Sequence, residues 1–144
     1  MTIIAYKDGT IAADRRVSIG CLKTQTTKIF RTPEGGLVGA SGNGPILRAM
    51  IEWAVKGMLD NEYPECAKEN DSDMLYIAPD RKIWLYSTNR FGLRIEAPYH
   101  AIGGGSEFAM AAMYLGKTAV EAVEVANALS PCCGEGVDRL DYDR

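Results

Sequence analysis

Thr2-Ile3-Ile4-Ala5-Tyr6-Lys7-Asp8-Gly9-Thr10-Ile11-Ala12-Ala13-Asp14 sets out the first strand pair of the fold. Two runs rich in isoleucine and alanine flank Asp8-Gly9, a dipeptide suited to a two-residue hairpin turn. Thr2–Tyr6 and Thr10–Ala13 therefore read as paired strands. Thr2 follows Met1 and is small enough for the methionine to be removed. A threonine at a free amino terminus carries a hydroxyl nucleophile and its own α-amine as base. Such an amine titrates near ~7.7–8, so part of it is basic at neutral pH. Asp14 closes the second arm, and Lys28 follows in Thr27-Lys28-Ile29-Phe30. A charged lysine beside the amine favours its neutral form by like-charge repulsion and steadies a developing alkoxide. No histidine is needed, and the sole one, His100, sits at a strand start and reads as structural.

Outward from this hairpin the chain alternates strands and helices. Lys28–Arg31 reads as a short strand, Pro33–Gly36 as a turn and Leu37–Ser41 as an apolar strand. Gly42-Asn43-Gly44-Pro45 opens a helix, with Asn43 or Gly44 as cap and Pro45 in the first turn. Ile46, Leu47, Met50, Ile51, Ala54 and Met58 make its apolar stripe, and Asp60–Asp73 is a polar connection. Met74–Ala78 and Ile83–Ser87 form a second hairpin, and Leu93–Glu96 and His100–Ile102 are short strands. Glu107–Leu115 and Thr118–Leu129 are helices broken at Gly116-Lys117, and Val137–Leu140 is a last strand. This order predicts one α+β domain over 1–144, with antiparallel sheets under helical layers.

Composition narrows the function classes. A net charge of −3 and a pI near 5.2 argue against nucleic acid as a main partner. No apolar run approaches the ~18 residues needed to span a bilayer, so no membrane role is expected. No basic segment precedes an apolar one as in a signal peptide, so the expected location is cytoplasmic. Cys21, Cys66, Cys132 and Cys133 lack metal-type spacing and read as free thiols. Gly116-Lys117-Thr118 imitates the end of a phosphate loop, but Ala111 stands where that pattern needs glycine. Any step that spends ATP, where one is required, therefore belongs to another chain.

Taken together, Thr2-Ile3-Ile4-Ala5, Lys7-Asp8-Gly9, Ala13-Asp14-Arg15-Arg16-Val17-Ser18 and Thr27-Lys28-Ile29 resemble the threonine peptidases of the proteasome β-subunit group. The bacterial HslV type is the nearest in pattern. Gly39-Ala40-Ser41-Gly42-Asn43-Gly44 resembles their oxyanion turn, and Ala101-Ile102-Gly103-Gly104-Gly105-Ser106 their glycine loop before a helix. The resemblance implies a four-layer αββα sandwich of the N-terminal-nucleophile (Ntn) hydrolase kind. It implies a threonine endopeptidase that cleaves unfolded polypeptide inside a homo-oligomeric ring. Thr2 would be the nucleophile after Met1 removal, Asp14 and Lys28 would tune the amine, and Gly42 would bind the oxyanion. Ser106 lies close to Gly104, which holds the place of a family serine. Ala40 matches the floor of the pocket for the side chain before the cut, and a small alanine implies a roomy, uncharged floor. Backbone carbonyls of Ser130, Cys133 and Gly136 match a turn that holds a cation in the HslV type. No other cofactor is implied. The alternative implied by the same fold is a catalytically inactive ring-forming scaffold or binding subunit.

The first hairpin departs from the family pattern. With Thr2 at the nucleophile position each arm lacks roughly two residues, and a change of two keeps every side chain on its face because the strand period is 2. An alignment on Thr2-Ile3-Ile4-Ala5 instead puts Met1 at that position and leaves no nucleophile. The equal shortening of both arms favours the first alignment. Trp53 and Val55, with Met110, Met113 and Tyr114, add apolar surface beyond one buried face, which fits contacts with neighbouring subunits or two helices well buried in a compact monomer.

Overall fold

The computed structural model describes residues 2–42, 44–58, 63–64, 72–87 and 90–142. Its first hairpin is β1 (Ile3–Lys7) and β2 (Thr10–Asp14), paired from Ile4↔Ala13 to Lys7↔Thr10. Asp8 and Gly9 both have positive φ (52° and 81°), the requirement of a tight hairpin turn whose twist matches the strands. β10 (Tyr99–Gly103) lies antiparallel on the other side of β1, and β11 (Val137–Asp141) beside β2. The sheet order is β10-β1-β2-β11.

A second antiparallel sheet runs β5-β6-β7-β8-β9, from β5 (Ile29–Arg31) and β6 (Leu37–Ser41) through β7 (Asp73–Ile77) and β8 (Ile83–Tyr86) to β9 (Leu93–Ile95). Among the described residues the strands β3 (Arg16–Ile19) and β4 (Leu22–Gln25) pair only with each other. Three α-helices are found among the described residues: α1 (Gly44–Val55), α2 (Ser106–Tyr114) and α3 (Ala119–Leu129). The α+β expectation is met, with antiparallel sheets throughout.

Side-chain alternation sorts the core into three clusters. On β1, Ile3 and Ala5 face α2 and α3, whose Ala109, Ala112, Ala119, Ala122 and Ala126 let the helices close on the sheet. Ile4 and Tyr6 point the other way, onto Ile29, Leu37, Leu75, Ile77 and Ile83 of the second sheet. On the far face of that sheet Val38, Ala40, Met74 and Tyr76 pack under Ile46, Met50 and Ile51 of α1. A one-residue slip of β1 would exchange its two faces. Each fully buried isoleucine contributes ~1.5–3 kcal/mol, so that register is strongly held.

The expected strands and helices are present with ends shifted by a few residues. The β3–β4 hairpin was not expected. The Asp60–Asp73 connection and the Asn43 cap lie largely outside the described residues. Gly116-Lys117-Thr118 belongs to helix punctuation: Gly116 has φ +95°, and Thr118 forms a capping box with Glu121 at the start of α3. Trp53 is a correction, because it is buried edge-on against Tyr63 and Tyr86 and offers no surface to a neighbour. Met113 is buried as well, whereas Tyr114, Leu115 and Leu129 are exposed. Among the described residues no helix is long and apolar enough to cross a membrane.

Candidate active site

Pairing of β1 with β2 places Thr2, immediately before β1, beside Asp14, the last residue of β2. Lys28 arrives from the second sheet, one residue ahead of β5. All three are nearly inaccessible, at 3%, 0% and 1% exposure. Lys28 Nζ donates to Thr2 Oγ at 3.1 Å and to Asp14 Oδ1 at 2.8 Å. Asp14 Oδ1 also accepts the Ile3 N–H at 3.2 Å, and Oδ2 accepts the Gly134 N–H at 3.1 Å. A buried carboxylate is tolerated when donors surround it in this way.

Burial pulls the Lys28 amine below its ordinary 10.5, while the Asp14 hydrogen bond and charge pull it back up. Burial likewise raises the Cys133 thiol, aided by Asp14, so this cysteine stays a neutral, unreactive neighbour. Cys21, Cys132 and Cys133 are free, and Cys66 lies outside the described residues.

The glycine loop holds Thr2 by its backbone. Gly105 N–H donates to the Thr2 carbonyl at 3.3 Å. Gly103 has φ +100°, and a Cβ there would sit 2.0 Å from the Thr2 carbonyl oxygen. Only glycine allows that approach. Gly42, at φ +145° between β6 and α1, faces the same space.

That space is a groove of ≈ 1090 Å³. Thr2, Lys28, Gly42 and Gly103 line it, together with 16–19 and 24–25 of the β3–β4 hairpin, Thr26 and Thr27 after it, and Leu47 and Arg48 of α1. The fold thus brings Thr2, Asp14, Lys28 and Gly42 to one place. Ser106 opens α2 and is not among the lining residues, where Gly104 is found instead. Ala40 is fully buried in the cluster under α1 and also does not line the groove. His100 is half-buried on β10 opposite Tyr6, with its pKa lowered by burial, and is outside the groove lining.

The 130–136 turn enters the site through Gly134. Its N–H binds Asp14, and its carbonyl accepts the N–H groups of Arg15 and Arg16 at 3.1 Å each. Gly136 O accepts Asn127 Nδ2 at 3.0 Å. Among the described residues no group of three His, Cys, Asp or Glu side chains could hold a metal. Sequence reasoning passed over Gly134 and the β3–β4 hairpin. The hairpin had a signal: Ile19 and Leu22 flank Gly20-Cys21, a two-residue loop whose first residue is glycine at φ +60°. Gly134 had none, because its partner lies 120 residues away.

No protein-family model matches the chain, and no curated protein is similar to it in sequence. Solved structures are similar in fold. The eukaryotic HslV of Trypanosoma brucei aligns with TM-score 0.71 at 17% identity, covering 96% of this chain and 97% of that one. The BPH protein of Thiobacillus denitrificans, solved in complex with epoxomicin, gives 0.70 at 20% identity, with 96% of each chain covered. The ancestral β-subunit Anbu of Yersinia bercovieri gives 0.70 at 12%, covering 97% of this chain and 80% of its own.

Proposed function

From a chain with the fold of HslV and the proteasome β-subunit group, we propose a threonine peptidase that cleaves unfolded polypeptide with Thr2 as nucleophile. The observation that carries the reading is Lys28 Nζ bridging Thr2 Oγ and Asp14 Oδ1 at the base of an open groove. Once Met1 is removed, the Thr2 α-amine takes the hydroxyl proton as Oγ attacks the peptide carbonyl carbon. Lys28, held charged by Asp14, stabilises the oxygen as negative charge develops on it. The carbonyl oxygen becomes the oxyanion, and the Gly42 N–H is its proposed donor. The protonated amine then returns its proton to the leaving nitrogen as the C–N bond breaks. Water, deprotonated by the same amine, releases the acyl group from Oγ.

Stacking of helices, sheet, sheet and helix around the three core clusters supports the four-layer αββα sandwich. We place the protein in a homo-oligomeric ring in the cytoplasm, served by a separate ATP-dependent unfoldase. Exposed Tyr114, Leu115 and Leu129 on the outer helices support subunit contacts. A cation at the carbonyls of Ser130, Cys133 and Gly136 completes the proposal. The buried Asn127 Oδ1, without a hydrogen-bond partner among the described residues, fits it as a nearby acceptor, and the ion would brace the turn that carries Gly134.

One observation favours the inactive scaffold instead: the glycine loop lines the groove with Gly103 and Gly104 and brings no hydroxyl there. Intact mass and peptide hydrolysis of natively expressed protein decide between the two. Loss of Met1, with turnover that drops by about 10⁶-fold in Thr2→Ala, is the expected result. An intact Met1, or turnover that survives Thr2→Ala, sinks the peptidase.

A further inference from the structure

The described residues that line the groove carry one sign of charge. Arg16, Lys28 and Arg48 are among the described residues that line it, and no aspartate or glutamate is. The whole chain has a net charge of −3, so this cleft opposes the sign of the molecule around it. The three cations differ in what already holds them. Lys28 is committed to Asp14 at 2.8 Å in the interior. Arg16 is tied to the turn behind it, with Nη1 on the Pro131 carbonyl at 3.0 Å and Nη2 3.6 Å from Glu135. Arg48 pairs with Glu52 one helical turn away at 2.7 Å, with side chains 66% and 45% exposed. An exposed pair of this spacing is worth only ~0.3–0.5 kcal/mol, so an arriving carboxylate displaces Glu52 at little cost. Its planar fork accepts a carboxylate through two parallel hydrogen bonds. Leu47 and Phe30 line the same groove and supply apolar contact for the stem that bears the carboxylate.

Resting on the peptidase reading, we propose that the substrate class is peptides bearing a carboxylate in the groove, and that Arg48 is the specificity-determining residue that binds it. This replaces the roomy, uncharged pocket floor expected from Ala40, whose side chain is enclosed under α1.

The test is equilibrium binding to the full-length Thr2→Ala protein, followed by fluorescence anisotropy, so that no peptide is consumed. Three peptides of one sequence are compared: central Glu with an amidated terminus, central Gln with an amidated terminus, and central Gln with a free terminus. A carboxylate-bearing peptide is expected to bind about 2- to 5-fold tighter than the Gln amide, the range of one exposed ion pair. The Glu amide and the Gln free acid distinguish a side-chain from a terminal carboxylate, and either supports the proposal. Arg48→Gln is expected to abolish the contrast, and Arg48→Glu to favour a fourth peptide, central Lys with an amidated terminus, over the Gln amide. Equal binding of all three peptides, no binding, or a contrast that persists in both Arg48 variants overturns the proposal. Hydrolysis by the wild type is scored separately, so failure of the peptidase reading leaves this result standing on its own.

Discussion

The site cluster and the β3–β4 hairpin border the same groove under opposite physical conditions. Thr2, Asp14 and Lys28 are at most 3% exposed and are cross-linked by hydrogen bonds from two sheets. On the hairpin, Ile19 and Leu22 are 63% and 64% exposed, and among the described residues its two strands pair with nothing else. A two-stranded ribbon is marginal by itself, whereas a buried charge network is rigid or it fails. On the peptidase reading, chemistry falls to the buried, hydrogen-bonded cluster and contact with substrate to the exposed ribbon.

The comparison breaks most visibly at Lys28. Lys28→Ala strips the buried Asp14 carboxylate of its cation, and the expected loss is ~3–5 kcal/mol of unfolding free energy, read from denaturant titration. The pH dependence has a definite sign. Because the folded-state pKa of Lys28 lies below its ordinary 10.5, the charged amine costs stability at neutral pH. That cost is recovered as pH rises through the window between the folded value and 10.5. The wild-type minus Lys28→Ala difference should therefore grow in that window, and a flat difference would show that Lys28 is not desolvated as described. Gly103→Ala is next. The new Cβ meets the Thr2 carbonyl at 2.0 Å in a left-handed conformation, and a loss of ~2–3 kcal/mol with displaced Thr2 is expected. Thermal unfolding within ~0.5 kcal/mol of wild type would contradict the clamp. The smallest effect belongs to the hairpin: Ile19→Ser with Leu22→Ser should change stability by less than ~0.5 kcal/mol. On the peptidase reading it raises KM while kcat holds, and a large stability loss would show that the hairpin is a packed element.

Much of this arrangement was legible in the residues. Asp8-Gly9 specifies the first turn, and the strand period then puts Thr2 and Asp14 at one end of the hairpin. Thr118 with Glu121 announces the start of α3 three residues apart. The β3–β4 hairpin offers the sequence only its Gly20-Cys21 turn, because neither strand has a buried face that would impose an apolar alternation. Trp53 was misassigned because its partners Tyr63 and Tyr86 come from outside its helix, and helical periodicity sees only one face.

By itself the sequence determined what local rules encode: the turns, the helix cap, the two-faced strands and the α+β order. Tertiary structure alone decided that Lys28 from one sheet meets Thr2 and Asp14 of the other. It alone brought Gly134 across 120 residues to the same carboxylate, and enclosed Ala40 while leaving Arg48 on the groove. Those outcomes depend on how two sheets stack and which side chains desolvate together. Residue type and spacing along the chain carry no term for that packing.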